Sequence, residues 1–360
     1  MEDYRKCCSP AGGGEAVLRT VGAGERDRFN HYIKNHPHGC VLQSYEWGEL
    51  KKRYGWSPAR LVLEREGEIA GAVTLLLKEK GFCPMAYSPR GPVVDISKGD
   101  SFRLFLHALR DYLKSRGVAF WKMDPEVDAC KSAREAFKGS FTPSSTHDGF
   151  GGIQPRAVWR LDVSRGSYPE NCLGKSARRQ IKKAQKEGIK IRQGGREDLP
   201  AFYRVLKETA ARNRFRLRLP AYYEDMWDLL HGPGHLYLAL AHREGRVLCG
   251  ALAAPFGRGV WDLYAGTSEE ARKTGASYLL TWDMIQRAAH QGHSFYDLGG
   301  IPLKEDGQGP LQGLYRFKSR FGGERREFVG EYDLVLSPFK HRLWHLGMGA
   351  RERLLKNLQS

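Results

Sequence analysis

The sequence predicts a mixed α/β fold, α+β in arrangement, made of two copies of one unit that arose by internal duplication, because the same order of elements runs through the chain twice. "LEREGEIAGAVTLLL" (63–77) and "LAHREGRVLCGALAAPF" (240–256) each read strand, Arg-Glu-Gly turn, strand, with the turns at 65–67 and 243–245. Aliphatic runs that meet at a glycine-containing turn form hairpins. A further aromatic strand follows each hairpin, around Tyr87 in "MAYSP" and Tyr264 in "WDLYAG", at nearly the same offset as the turns. Each copy then closes on a Gly-x-x-Phe-aromatic strand, "GVAFWKMD" (117–124) and "GHSFYDLG" (292–299), and the offset is again almost unchanged.

The remaining elements follow from side-chain periodicity. "QSYEWGELKKRYGW" (43–56) reads as a helix with Ser44 as N-cap and Trp47, Leu50 and Tyr54 on its buried side, leaving Lys51 off that stripe. "SFRLFLHALRDYLKS" (101–115) places Leu104, Ala108, Leu109 and Tyr112 on one face, and "ASYLLTWDMIQRAAHQ" (276–291) does the same with Leu280, Met284, Ile285 and Ala288. Between the copies, "NCLGKSARRQIKKAQKEGIKIR" (171–192) buries Leu173, Ala177, Ile181 and Ala184 and crowds Lys175, Arg178, Arg179, Lys182, Lys183 and Lys186 onto the rest of a helix. "EDLPAFYRVLKETAARNRF" (197–215) is amphipathic through Leu199, Phe202, Val205 and Leu206, and "RLPAYYEDMWDLL" opens a helix with Arg218 and Tyr222 four residues apart. "GLYRFKSRFGG" (313–323) alternates Tyr315, Phe317 and Phe321 with Arg316, Lys318 and Arg320, so it reads as a strand or extended edge with one apolar and one cationic face. "PFKHRLWHLGMGARERLLKNL" (338–358) mixes Phe339, Trp344 and Leu346 with cations, which suits either an anionic membrane surface or packing on the first domain.

Composition narrows the partners. Lys and Arg exceed Asp and Glu by 17 over 360 residues, which points to an anion: nucleic acid, a nucleotide-linked substrate or anionic lipid. No run reaches the 18 or so apolar residues of a membrane span, and Met1–Gly14 lacks the apolar core of a signal peptide and reads as a flexible leader. Seven cysteines without a CxxC pair fit neither a disulfide framework nor a zinc site, so a reducing, cytoplasmic compartment is expected. The domains expected are a leader over 1–14, a first domain over 15–157 completed by 331–360, and a second over 158–330. Like charges at i,i+4 on the basic helix weaken it by a few tenths of a kcal/mol per pair, which favours a phosphate partner over a merely solvated face.

A three-stranded meander followed by a helix and a parallel return strand resembles the GNAT acyltransferase core, so two GNAT-like domains are expected. The acetyl-CoA cradle of that family, R/Q-x-x-G-x-G/A, has a partial counterpart in "RKTGAS" (Arg272 to Ser277) of the second copy, where a plain helix N-terminus reads equally well. "SKGDSF" at the matching place in the first copy has no such pattern.

"QSYEWGELK", "AYSPRGPVVD", "MDPE", "IQPR", "SARRQIKKAQKEGI", "DLYAG", "YDLGGI" and "YRFKSRFGG", in that order over roughly Phe29 to Asp333, resemble the Fem (FemABX) family of peptidoglycan-bridge aminoacyltransferases. The resemblance implies transfer of an amino acid from aminoacyl-tRNA to an amine on the stem peptide of a peptidoglycan precursor, lipid-linked or UDP-linked, with no cofactor and no metal. Only "RLRLP" separates two helices where some relatives insert a long helical hairpin, so the chain resembles the compact branch. That branch's acceptor-binding positions match Lys51, Arg218, Tyr222 and Tyr264; its Phe-Lys pair near the reaction centre matches Phe317 and Lys318, and its candidate carboxylate matches Asp124.

The chemistry implied is attack of an amine on an activated ester, which positioning and oxyanion stabilisation accelerate without a covalent enzyme intermediate. Lys318 is then an oxyanion stabiliser or a phosphate ligand, and Asp124 a proton acceptor or a turn residue beside Pro125. Arg178, Arg179, Lys182, Lys183, Arg316 and Arg320 are the candidate tRNA contacts. Two other functions stay open: an acetyl-CoA-dependent GNAT N-acetyltransferase, supported by "RKTGAS", and a non-catalytic RNA- or membrane-binding module.

Overall fold

The computed structural model describes residues 3–7, 16–96, 99–144, 152–303 and 310–357. The chain divides into two compact units, Met1–Thr146 with Phe328–Ser360, and His147–Glu327.

In the first unit, the meander Ser57–Arg65, Glu68–Lys78 and Met85–Ser88 is antiparallel, and Met85–Ser88 then pairs parallel with Phe120–Met123 after the helix Gly99–Ser115. The second unit repeats this with Tyr237–Arg243, Arg246–Phe256 and Gly259–Thr267, the helix Ala276–His290 and the parallel return strand Phe295–Gly300. Both Arg-Glu-Gly turns are two-residue hairpins: Glu66 and Gly67 have φ of 54° and 82°, and Glu244 and Gly245 have 50° and 76°. Two successive positive φ values make the type I′ turn whose twist matches the flanking strands.

The sheets extend beyond the repeated unit. Tyr332–Val335 returns from the C-terminal side to pair antiparallel with Phe120–Met123, which is how residues after the second unit complete the first. Asp3–Cys7, expected within a leader, is an edge strand against Ala16–Thr20. Residues 152–157, expected in the first domain, belong to the second unit, where Ala157–Asp162 pairs with Phe295–Gly300 and with Glu324–Glu327. In each unit the repeated helix turns its predicted face inward: Ala108, Leu109 and Tyr112 are buried in one, with Leu104 half-buried, and Leu280, Met284, Ile285 and Ala288 are buried in the other. The helices Leu199–Asn213 and Pro220–Leu230 are joined by residues 214–219 alone, so no helical arm is inserted there.

A further expectation, the strand over 313–323, is also overturned. Residues 313–323 do not form a strand; Pro310–Ser319 is a helix. The alternation of rings and charges is a fragment of a longer helical stripe, Leu311, Leu314, Tyr315, Lys318 and Phe321, and this stripe is the side that turns inward. Phe321 and Lys318 are buried, Tyr315 meets Trp159 edge-on at 5.6 Å between ring centroids, and Arg316 and Arg320 are exposed. Lys318 therefore lies on the packed face, away from the cationic one.

The C-terminal helix Pro338–Asn357 seats His341 and Trp344 on Phe120, at 5.0 and 5.1 Å between ring centroids. Phe339 and Leu346 remain exposed, so among the described side chains of this segment one face packs and the other offers apolar groups.

The helix Leu199–Asn213 lies so close to Gly259–Thr267 that a Cβ on Gly266 would sit 2.5 Å from the Leu206 backbone nitrogen. A backbone atom cannot rotate aside, so Gly266→Val is expected to cost about 1–3 kcal/mol through overpacking. A lowered urea midpoint of the intact chain checks this, and an unchanged midpoint would show that the helix yields.

Candidate active site

The second unit concentrates charge where the parallel pairing of Gly259–Thr267 with Phe295–Gly300 stops, at Trp261 and Asp297. Lys318, 7% exposed, donates from Nζ to the Gly300 carbonyl at 2.7 Å. Burial pushes its ammonium down to about 8, and the nearby Asp297 and Asp262 carboxylates oppose that fall. Asp262 is itself pushed up to about 6, chiefly by desolvation, although the Tyr296 hydroxyl donates to its Oδ1 at 2.5 Å. Asp297 is held on both oxygens, by Arg160 Nε at 2.9 Å and by the Gly299 amide at 2.7 Å. Gly299 has φ of 78°, and a Cβ there would lie 3.6 Å from Lys318 Nζ, so this turn needs glycine's conformational freedom beside the ammonium.

Two features of the fold make this convergence. A bulge in the pairing of Arg246–Phe256 with Gly259–Thr267 sets Leu252 opposite Tyr264 but Ala253 opposite Asp262, leaving Leu263 as the extra residue. On the other side, Phe317 packs edge-on against Tyr278 at 4.9 Å and Phe321 at 5.2 Å, fixing the helix that carries Lys318.

Three of the four expected acceptor-binding residues meet in this unit. Tyr222 is buried, its ring 6.4 Å from that of Tyr264, and the Arg218 guanidinium lies 5.4 Å from the Tyr222 ring centroid. Tyr223 closes the group, 5.1 Å from Tyr264. Burial raises the hydroxyls of Tyr222 and Tyr264 above the ordinary tyrosine value, so both are neutral at pH 7, with exposed Arg218 as the charge beside Tyr222. The fourth, Lys51, belongs to the first unit, in the last turn of Tyr45–Arg53 with Nζ 4.6 Å from the Trp47 ring centroid.

The basic helix is Lys175–Lys186, with Ala177, Ile181 and Ala184 buried as predicted. Arg179 and Lys182 are exposed and Arg178 is half-buried, whereas Lys183 donates to the Lys273 carbonyl at 2.6 Å and lies 3.7 Å from Glu187. That first contact clamps the helix over the "RKTGAS" turn. The Gln180 carbonyl lies 2.4 Å from where a Cβ of Gly275 would be, and the Ala276 amide is taken by Thr274 Oγ1 at 3.3 Å. A backbone oxygen thus stands where a pyrophosphate would need bare amides.

In the first unit, Asp124 is 3% exposed and accepts from Tyr87 Oη at 2.7 Å and from the Arg90 amide at 2.6 Å. Desolvation pushes it up to about 6 against the pull of Arg90. Arg90 has φ of 57°, a conformation costly for a non-glycine residue, and Asp124 Oδ1 pins that turn while its Oδ2 is held by Tyr87.

A family model described as the FemAB family matches residues 25–247 and 242–347, almost the whole length of both units. The chain belongs to the FemAB family. Among FemAB-like relatives, lipid II:glycine glycyltransferase of Staphylococcus aureus (strain USA300) is 26% identical over 394 aligned positions, which cover 89% of this chain and 93% of that protein. The crystal structure of FemX superposes with a TM-score of 0.82 at 24% identity, covering 91% of this chain and 99% of that one. A tandem GNAT protein from the clavulanic acid biosynthesis pathway gives 0.53 at 12% identity, over 90% and 99%. These likenesses show the fold, two GNAT-like domains in tandem. No helix among the described residues is long and apolar enough to cross a membrane.

Sequence reasoning missed Asp262, Asp297, Tyr296 and Arg160. Asp262 and Asp297 sit inside "WDLYAG" and "YDLGG", and an acid next to an aromatic in an otherwise uncharged strand was the available signal. A buried ammonium that loses its proton near pH 8 is visible directly. With selectively ¹³C-labelled lysine, one side chain is expected to titrate about two units below the ordinary 10.4 or so, and Lys318→Arg should abolish that resonance. Uniform titration of all lysines above pH 10 would refute the assignment.

Proposed function

We propose that this chain transfers an amino acid from aminoacyl-tRNA to an amine on the stem peptide of a peptidoglycan precursor, forming an interpeptide bridge on the cytoplasmic side. The observation that carries the reading is the Lys318 ammonium, buried beside Asp262 and Asp297 where the pairing of two parallel strands stops in a FemAB-family chain. A relative named for glycine transfer to lipid II supports the precursor, and the net charge of +17 suits a polyanionic donor.

In this reaction the acceptor amine attacks the ester carbonyl, a C–N bond forms, and negative charge develops on the carbonyl oxygen. Collapse breaks the C–O bond to the tRNA ribose, whose oxygen takes the proton the amine gives up. Lys318 is the proposed catalytic residue: it is charged at pH 7, held by the Gly300 carbonyl and screened little by water, so its field acts on the oxyanion. Phe317 fixes the helix behind it. Arg218, Tyr222 and Tyr264 bind the anionic acceptor; the acceptor role of Lys51 rests on the family resemblance alone. Both oxygens of Asp124 already accept hydrogen bonds, which favours an anchor for the Arg90 turn over a proton acceptor. The covered "RKTGAS" turn removes the chief support for acetyl-CoA as donor. Apolar Phe339 and Leu346 on the exposed face of the C-terminal helix suit peripheral contact with an anionic membrane that holds a lipid-linked acceptor.

Lys318→Met is expected to lower turnover by about 10²–10³ with little change in the acceptor KM, whereas Arg218→Met should chiefly raise that KM. Steady-state assays with charged tRNA and a purified muropeptide precursor separate the two, and near-normal turnover of Lys318→Met would sink the catalytic role. Lys318→Arg keeps the charge but spreads it over a planar fork, so an oxyanion contact should fail and a simple phosphate contact should survive.

Arg178, Arg179, Lys182 and Lys183, with Arg316 and Arg320, form the proposed tRNA-binding set. Replacing the first four by Gln is expected to flatten the log–log salt dependence of tRNA binding by about 3, at roughly 0.7–0.9 per lost phosphate contact. A slope unchanged in filter-binding titrations would return that helix to plain surface.

A further inference from the structure

The strand Tyr332–Val335 and the helix Pro338–Asn357 bring together three side chains that the transfer reaction does not use. His341 and His345 are four residues apart, hence on one face of the helix, and both turn Nε2 toward buried Asp333. His341 Nε2 lies 2.9 Å from Asp333 Oδ2, His345 Nε2 lies 3.1 Å from His341 Nε2, and His345 Nε2 lies 3.6 Å from the same Oδ2. Among the described residues this is the one group of three such side chains whose donor atoms all fall within 4.8 Å of one another. We propose that Asp333, His341 and His345 bind a divalent transition-metal ion of the zinc class.

Geometry is the first support. Bonds of about 2.0–2.1 Å in a tetrahedron place neighbouring donor atoms about 3.3–3.4 Å apart, and the three separations of 2.9, 3.1 and 3.6 Å bracket that edge. Hydrogen bonding alone serves the cluster poorly. A neutral His341 has one proton at most on Nε2, and that proton would have to serve both Asp333 Oδ2 and His345 Nε2. A cation placed between the three atoms satisfies every lone pair at once.

Charge is the second support. On its other oxygen, Asp333 is 2.8 Å from Lys122 Nζ, and Glu331 lies 2.7 Å from the same ammonium. Glu331 offsets Lys122, so the negative charge of Asp333 is left to face the two imidazoles. The Lys122 contact also orients the carboxylate, as groups outside a metal's own ligands commonly do. Two imidazoles and one carboxylate favour zinc, nickel or copper over calcium or magnesium, which take oxygen donors. The His345 side chain is 37% exposed, so the fourth position opens to water. Bound there, the ion ties the C-terminal helix to the sheet of the first unit.

The test uses the intact chain, dialysed with zinc chloride and then against metal-free buffer, with bound zinc measured by plasma mass spectrometry. One zinc per chain is expected, with at least a tenfold loss of affinity in His341→Gln and in His345→Gln. His345 is half-exposed, so its variant should keep the native circular dichroism, and His107→Gln, at a well-exposed histidine elsewhere, should keep the zinc. Zinc should raise the melting temperature of the wild type and leave that of His345→Gln unchanged, and cobalt should give the visible bands of a tetrahedral site in the wild type alone. Absence of zinc uptake by the wild type, or equal uptake by His345→Gln, would overturn the proposal and leave the cluster as an Asp–His–His hydrogen-bonded chain.

Discussion

A charged amine held out of water is the constraint around which the second unit is arranged. Burying an isolated ammonium costs several kcal/mol unless opposite charges and hydrogen bonds compensate. Lys318 has both, the Gly300 carbonyl and the carboxylates of Asp262 and Asp297. Each compensating group is in turn held: Asp262 by Tyr296, Asp297 by Arg160 and by the Gly299 amide. The parallel pairing of Gly259–Thr267 with Phe295–Gly300 brings the two acids to one place, because Trp261, beside Asp262, pairs directly with Asp297. A fixed positive charge at the mouth of two parallel strands is well suited to meet a charge that appears only during reaction.

The two copies share the frame and differ in the charge they place on it. In the first unit the return strand carries Lys122, directly opposite Asp333 on the neighbouring antiparallel strand. In the second unit the corresponding position of the return strand carries Asp297, directly opposite Arg160. The same cross-strand ion pair is therefore present twice with its signs exchanged. In one unit the acid faces His341 and His345; in the other it faces an ammonium. Duplication preserved the need to match a buried charge across two strands, and the sign decided what chemistry could gather beside it.

The first unit resembles a structural partner in its use of titratable groups. Asp124 is committed to Tyr87 and to a turn at Arg90 whose backbone conformation needs support. The second unit leaves polar groups convergent beside exposed surface, with Arg218 next to buried Tyr222 and Phe317 behind Lys318.

The sequence by itself determined the duplicated β-β-β-α-β unit, both hairpins, most of the buried face of each repeated helix and the grouping of Arg218 with Tyr222. Those features depend on neighbours close along the chain, where side-chain period and glycine placement act directly. It also named Lys318, through the family's Phe-Lys pair, but set it on a cationic strand face that does not exist. So short a run of alternating ring and charge satisfies a strand and a helix equally well. Only the packing of Tyr315 on Trp159 and the burial of Phe321 chose the helix and turned Lys318 inward. Asp262, Asp297, Arg160 and the Asp333–His341–His345 group were decided by tertiary structure alone, because their partners lie on strands and helices that are distant in sequence or joined only by sheet register. Local preference cannot encode which charge will stand across a ladder; the register of the folded sheet does.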